Sequence, residues 1–212
     1  MNTSSSLFRP LVRVGLLATA LVCSSLSFAQ EAGEDDAAFQ ALIQQVRSGK
    51  AMIDDIVKLN DMAIENGQAF AANLAVKGFL RRQIEPEPAV LREAAEIAAL
   101  AGDVRMAVNR YKAYLRDAPS SKESSDAAAH AYELMIEYLK TSQDAYQLML
   151  ELEGKHRQTV AARKFDRWFI HEAIRRHAYE TAVSMLTTVV SDVKGPVKNE
   201  WNGTFVHLVR SM

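Results

Sequence analysis

Gly102 separates two helical runs near the middle of this chain. An alanine-rich run from Ala94 to Ala101 precedes it, and glycine accepts the left-handed conformation in which helices commonly end. Asp103 follows at once, a residue type that caps the start of a helix. Val104, Ala107, Val108, Tyr111, Tyr114 and Leu115 then recur at i, i+3, i+4 and i+7, the spacing of an amphipathic helix. Pro119 bars continuation, and Ser120 and Ser121 loosen the chain. The stretch predicts the turn and second helix of a helical hairpin. Small Ala107 permits a close helix approach, and Tyr111 fills the space one turn later.

The order Gly102, Ala107-x3-Tyr111, Pro119 resembles the second half of a tetratricopeptide unit. The resemblance is firm over residues 91–119. In the first half, Leu91, Ala94, Ala95 and Ala98 stand where that family prefers Trp, Leu, Gly and Tyr, and Tyr114 replaces a usual small residue. Two echoes follow. Ala145-Tyr146-x-x-Met149-x-x-Leu152 and Ala182-Val183-x-x-Leu186-x-x-Val189 repeat Ala107-Val108-x-x-Tyr111-x-x-Tyr114. The alanines stand at 107, 145 and 182, intervals of 38 and 37 residues, against roughly 34 in the standard unit. An ordinary antiparallel bundle is the alternative, because Ala-x3-bulky is common where helices pack. The resemblance implies an all-α fold: antiparallel helical hairpins stacked as a tetratricopeptide-like α-solenoid over residues 88–194.

Residues 1–29 read as a secretory signal. Arg9 and Arg13 form a positive start, and no acidic residue precedes Glu31. Val14 to Val22 is a short apolar core, and Ser27-Phe28-Ala29 is a small-x-small cleavage site. The apolar run is too short for a comfortable membrane span. Ala20-Leu21-Val22 before Cys23 lacks the small residue expected ahead of a lipid-bearing cysteine. Cleavage after Ala29 would remove the single Cys of the 212 residues, so neither a disulfide nor a Cys-based metal site is expected. Export without cysteines suits a bacterial envelope protein, periplasmic or secreted. Loss of Arg9 and Arg13 leaves 23 of the 25 basic residues against 26 acidic ones, a net charge of about −3. That balance disfavours nucleic acid and anionic membrane as partners.

Residues 30–36 read as an acidic linker, and 37–85 as a helical N-terminal subdomain. Its first apolar stripe is Phe39, Leu42, Ile43 and Val46. The second is Met52, Ile53, Ile56, Val57, Leu59, Met62 and Ala63, and the third is Phe70, Ala71, Leu74, Ala75, Phe79 and Leu80. Pro86 and Pro88 mark the boundary, and Pro88 suits a first helical turn. Further on, Ser125 or a neighbour is expected to cap a helix reaching about Lys140. Ser142 caps a short one to Glu153, stopped by Gly154. A long helix is expected from roughly Arg157 to Arg176 and another from Tyr179 to Ser191. Residues 195–212 form a tail or cap in which Trp201, Phe205, Val206, Leu208 and Val209 need a partner.

Within that long helix Arg163, Arg167, His171 and Arg175 recur every four residues and predict one basic stripe, with Trp168 towards the other side. These five are the candidate partner-binding residues, with an acidic peptide, a polyanionic envelope glycan or a lipid head group as the expected ligand. A solvated face neutralised by neighbouring glutamates is the alternative for the stripe, and a core position the alternative for Trp168. His171 and His177 are six apart, whereas two zinc-binding histidines on one helix need i, i+4 spacing, so no metal is expected. Asp54, Asp55, Asp61 and Glu65 share a helix, but paired catalytic carboxylates need a cleft and a raised pKa. No catalytic residue and no cofactor are expected. The expectation is therefore an exported scaffold that binds a protein or extended peptide. The alternatives are the helical, non-catalytic part of a peptidoglycan-acting enzyme or a structural subunit of an envelope assembly.

Overall fold

A computed structural model describes residues 35–192, together with Gly203, Val206 and Arg210. The predicted secretory signal, most of the predicted linker and most of the predicted tail lie outside the described residues. Those described are all α-helical, with helices packed mostly against their neighbours in sequence. The chain divides into two compact units, Met1–Arg82 and Gln83–Met212.

In the first unit α1 covers residues 35–47, α2 is Ile53–Glu65 and α3 is Ala69–Leu80. Phe39, Ile43, Val46, Ile56, Leu59, Ala63, Ala72, Ala75 and Val76 are its most deeply buried apolar residues. On α3 the buried face is Ala72, Ala75, Val76 and Phe79, not the face carrying Phe70 and Leu74, which are 68% and 47% exposed. This helix is apolar nearly all round, so periodicity leaves its rotation open. The small alanines let neighbouring backbone approach, and that decides which face turns inward.

The second unit contains α4, Pro88–Leu100, and α5, Val104–Asp117. Next come α6, Lys122–Glu133, a π-helical turn at Leu134–Tyr138, and α7, Ser142–Glu151. The short α8, Val160–Arg163, precedes α9, Asp166–Arg175, and α10, Tyr179–Asp192. The α4–α5 pair has the predicted form. Pro88 opens α4, Gly102 turns at φ +77°, and the Asp103 carboxylate accepts the Met106 N–H at 3.3 Å. Ala94, Ala95, Ala98 and Ala107 have no exposed surface, and Tyr111 is 1% exposed. Arg110 is buried too and donates to the Ala94 carbonyl at 2.6 Å. Burial lowers its pKa to about 10, opposed by Asp103, so it remains a cation at neutral pH.

Four left-handed residues, Gly67, Gly102, Lys140 and His177, lie at intervals of 35, 38 and 37. Each stands two residues before a helix start: α3 at 69, α5 at 104, α7 at 142 and α10 at 179. Three of these turns share one bond, the next residue's N–H reaching back five positions. The pairs are Gln68 to Ala63 (3.0 Å), Asp103 to Ala98 (2.9 Å) and Ala178 to Ala173 (2.9 Å). This is the Schellman closure of a helix end. At the remaining turn Thr141 reaches Met135, six positions back, at 2.8 Å. The π-helical turn has inserted one residue there.

Nothing within 4 Å would meet a side chain at Gly102, so glycine serves conformation alone. Gly102→Ala is expected to lose about 1–2 kcal/mol. His177→Gly, which relieves φ +59°, is expected to gain about 0.5–1 kcal/mol. Thermal melting of both variants checks the pair. Equal shifts of the same sign would count against a strained turn at 177.

Three helix limits differ from the sequence expectation. Ser121, not Ser125, caps α6, in a reciprocal arrangement with Ser124. Ser125 is fully buried, because its hydroxyl accepts the Gln158 N–H at 3.1 Å and donates to the Ser121 carbonyl at 2.8 Å. The cap position of α7 is Thr141, and that helix ends at Glu151 rather than Glu153, which is left-handed. The expected single helix from Arg157 to Arg176 is also wrong. The chain turns at Lys164 and Phe165, where the Phe165 N–H reaches only to the Ala162 carbonyl. Side-chain packing explains the break. It sets Phe165 against Tyr132 (ring centroids 5.7 Å) and buries Asp166 next to it in sequence.

Candidate functional site

A groove of about 560 Å³ opens in the second unit. Met149 and Leu150 from α7 line it, followed by Glu153, Gly154 and Arg157 of the next loop. Glu180, Thr181, Ser184, Met185 and Thr188 line it from α10. Buried Tyr132, Ala162 and Phe169 underlie these walls. Phe169 is held edge-on by Tyr132 at 4.9 Å and Trp168 at 5.1 Å between ring centroids, the favoured geometry for aromatic pairs. Burial, with Asp166 adding to it, raises the pKa of the Tyr132 hydroxyl, so it stays protonated.

Arg157 and Asp166 line the same groove as a two-pronged ion pair. Nε donates to Oδ1 at 2.9 Å and Nη2 to Oδ2 at 2.6 Å. The Asp166 side chain is 8% exposed and that of Arg157 22%. Fork-to-fork geometry of this kind fixes orientation as well as charge. The loop that carries Arg157 is latched to the end of α5. Lys155 Nζ reaches the Arg116 carbonyl at 3.4 Å, and the Ser120 hydroxyl donates to the Lys155 carbonyl. His156 Nε2 lies 3.2 Å from the Leu115 carbonyl, so that nitrogen carries the proton. His156 is 2% exposed, and its Nδ1 is buried without a partner. Burial lowers its pKa, against the Leu115 hydrogen bond.

The predicted basic stripe is divided by the break at Lys164 and Phe165. Arg163, on α8, turns its Nε to the Arg157 carbonyl at 3.1 Å. Arg167, His171 and Arg175 are exposed on α9. Arg175 is committed to buried Glu172 through two bonds, 2.8 and 2.6 Å, and Arg176 binds the same carboxylate at 2.7 Å. Trp168 is half-buried against the core. None of the five candidates lines the groove. The groove leaves one signal in the sequence: Thr181, Ser184 and Thr188 share a face of α10 at i, i+3 and i+7.

The Arg175 bonds, seconded by Arg176, hold Glu172 down at about 2 from the ordinary 4.5. A carboxylate with a depressed folded-state pKa stabilises fully above its unfolded value. That contribution is lost as pH falls through the folded one. The loss is therefore expected between pH 4.5 and about 2. In acid titrations of stability, Glu172→Gln should be flatter than the parent across that window. Parallel curves would remove Glu172 as their cause.

His177 sits in its left-handed turn with Nδ1 2.9 Å from the Tyr179 hydroxyl, and His171 lies on an exposed face. Among the described residues no group of three or more His, Cys, Asp and Glu side chains could hold a metal ion. Asp54 and Asp61 are exposed, and Asp55 accepts the Met52 N–H at 2.8 Å and Gln45 at 2.7 Å. No helix among the described residues is long and apolar enough to cross a membrane.

Fold and groove together define an all-helical protein of sequentially packed helices with an open cleft of mixed apolar and polar lining. Compared with protein-family models, curated proteins and solved structures, the chain has no significant match.

Proposed function

We propose that this chain is an exported, tetratricopeptide-like binding module that receives an extended segment of a partner protein in the groove lined by α7 and α10. The groove carries the reading. Its size suits one or two large side chains, and the methionines Met149 and Met185 adapt to irregular apolar shapes. Hydroxyls on α10 lie beside them for main-chain hydrogen bonds. Recurrence supports the repeat character. The left-handed turns keep a period of 35 to 38 residues. The triplets Ala107, Tyr111, Tyr114; Ala145, Met149, Leu152; and Ala182, Leu186, Val189 are all buried. Export rests on the pattern from Arg9 to Ala29, and a bacterial envelope remains the proposed setting. On this reading the protein recognises a partner and performs no reaction.

Photocrosslinking in the native envelope tests the site. A photoreactive residue replaces Thr188, at the groove, or Arg167, on α9. An adduct is expected from position 188 and should disappear when Ser184→Trp fills the groove. Ser184 is exposed, so that change leaves the core intact. An adduct from position 167 alone would move the site to the basic face. Adducts from neither would defeat the binding-module reading.

A further inference from the structure

The charges of the groove specify what kind of segment it takes. Its lining contains three carboxylates, Glu153, Asp166 and Glu180, and one cation, Arg157. Arg157 and Asp166 are committed to each other through two bonds. That pair presents little net charge to a ligand. Glu153 and Glu180 are exposed, one on the loop after α7 and the other in the first turn of α10. Lys155, beside Glu153 in sequence, is directed to the Arg116 carbonyl at the end of α5, and Arg176, one turn before Glu180, is bound to Glu172. The groove is thus apolar at Met149, Leu150, Phe169 and Met185 and carries two net negative charges.

Resting on the binding-module reading, we infer that the groove selects segments in which a large apolar side chain neighbours a lysine or arginine. The apolar side chain fills the space over Phe169 and Met185. The long methylene stem of the basic residue covers apolar wall while its charged end reaches a carboxylate, as such side chains do at apolar–polar boundaries. The preference is opposite in sign to the acidic partner that the α9 basic residues suggest. Like charge in the groove would repel an acidic segment and slow its association.

A random-peptide phage library selected on the full mature chain, with counter-selection on Ser184→Trp, tests this directly. Enrichment of peptides pairing Leu, Phe or Met with Lys or Arg is expected. Against such a peptide, Glu153→Gln/Glu180→Gln should weaken binding about 3–10-fold, measured by fluorescence anisotropy. The difference should shrink as salt is raised. Both side chains are exposed, so this variant is expected to fold. Enrichment of apolar peptides without charge bias, or of acidic ones, would overturn the charge preference and leave the groove as a binding site. A library showing no enrichment over Ser184→Trp would overturn the groove reading itself.

Discussion

Phe169→Ala should lower the stability of the second unit by about 3–5 kcal/mol and abolish peptide binding at the groove. Phe169 is 2% exposed and is packed edge-on by Tyr132 and Trp168. Truncation removes the transfer free energy of the ring and leaves a cavity beneath the groove floor. It also ends the edge-on contacts with Tyr132 and Trp168, worth about 0.5–1.5 kcal/mol each, and the tilted contact with Phe165. Phe169→Leu keeps most of the volume and should cost only about 1–1.5 kcal/mol. Urea unfolding followed by tryptophan fluorescence reads both, since Trp168 touches the substituted ring. A midpoint for the alanine variant equal to the parent would mean that this cluster does not hold the unit together.

Asp166→Ala should be the second most damaging change, at about 2–3 kcal/mol. Removing one partner of a buried ion pair commonly costs about 3–5 kcal/mol, because the other charge is stranded. The value expected here is lower because Arg157 is 22% exposed and water reaches it. Arg157→Met/Asp166→Leu removes both charges and keeps apolar volume, so it should recover most of the loss. Recovery would show that the cost lies in the stranded guanidinium. A double variant as unstable as the single one would assign the cost to packing around α8 and α9. The pair also explains the turn before α9. Asp166 must reach the loop at Arg157, and a continuous helix from 157 would place the two nine residues apart on one rod, out of contact.

Two of the four hairpin turns were legible from residue type. Gly67 and Gly102 occupy left-handed positions, and glycine after a helical run announces them. Lys140 and His177 hold the same conformation without being glycine, so the period of the turns was hidden in the sequence. The alanine echoes at 107, 145 and 182 showed it instead. Close helix crossings need a small residue, whereas a turn tolerates a strained one when its hydrogen bonds are made. On α5 the stripe read from spacing is the buried one, with Val104 only half-buried. On α3, apolar nearly all round, spacing chose Phe70 and Leu74, which point outward. Periodicity locates a face only where polar residues define its edges.

The basic stripe shows the same limit at the site. Spacing of four placed Arg163, Arg167, His171 and Arg175 together on the assumption of an unbroken helix. The chain breaks inside that series, and Glu172 occupies Arg175. The groove draws on α6, α7, the loop after it, α8, α9 and α10, and its residues are far apart in sequence. No local pattern relates Met149 to Met185 or Glu153 to Glu180.

By itself the sequence determined the helical class, the α4–α5 hairpin with its glycine turn and aspartate cap, and the small residues at which helices cross. These follow from conformational preference and side-chain volume, which act within a few residues. Tertiary structure alone decided where the long helix breaks, which face of α3 is buried, which arginines are engaged, and that a groove with both apolar and acidic side chains in its lining forms. Each of those depends on desolvation and pairing between residues distant in the chain, and such energies exist only once the helices have met.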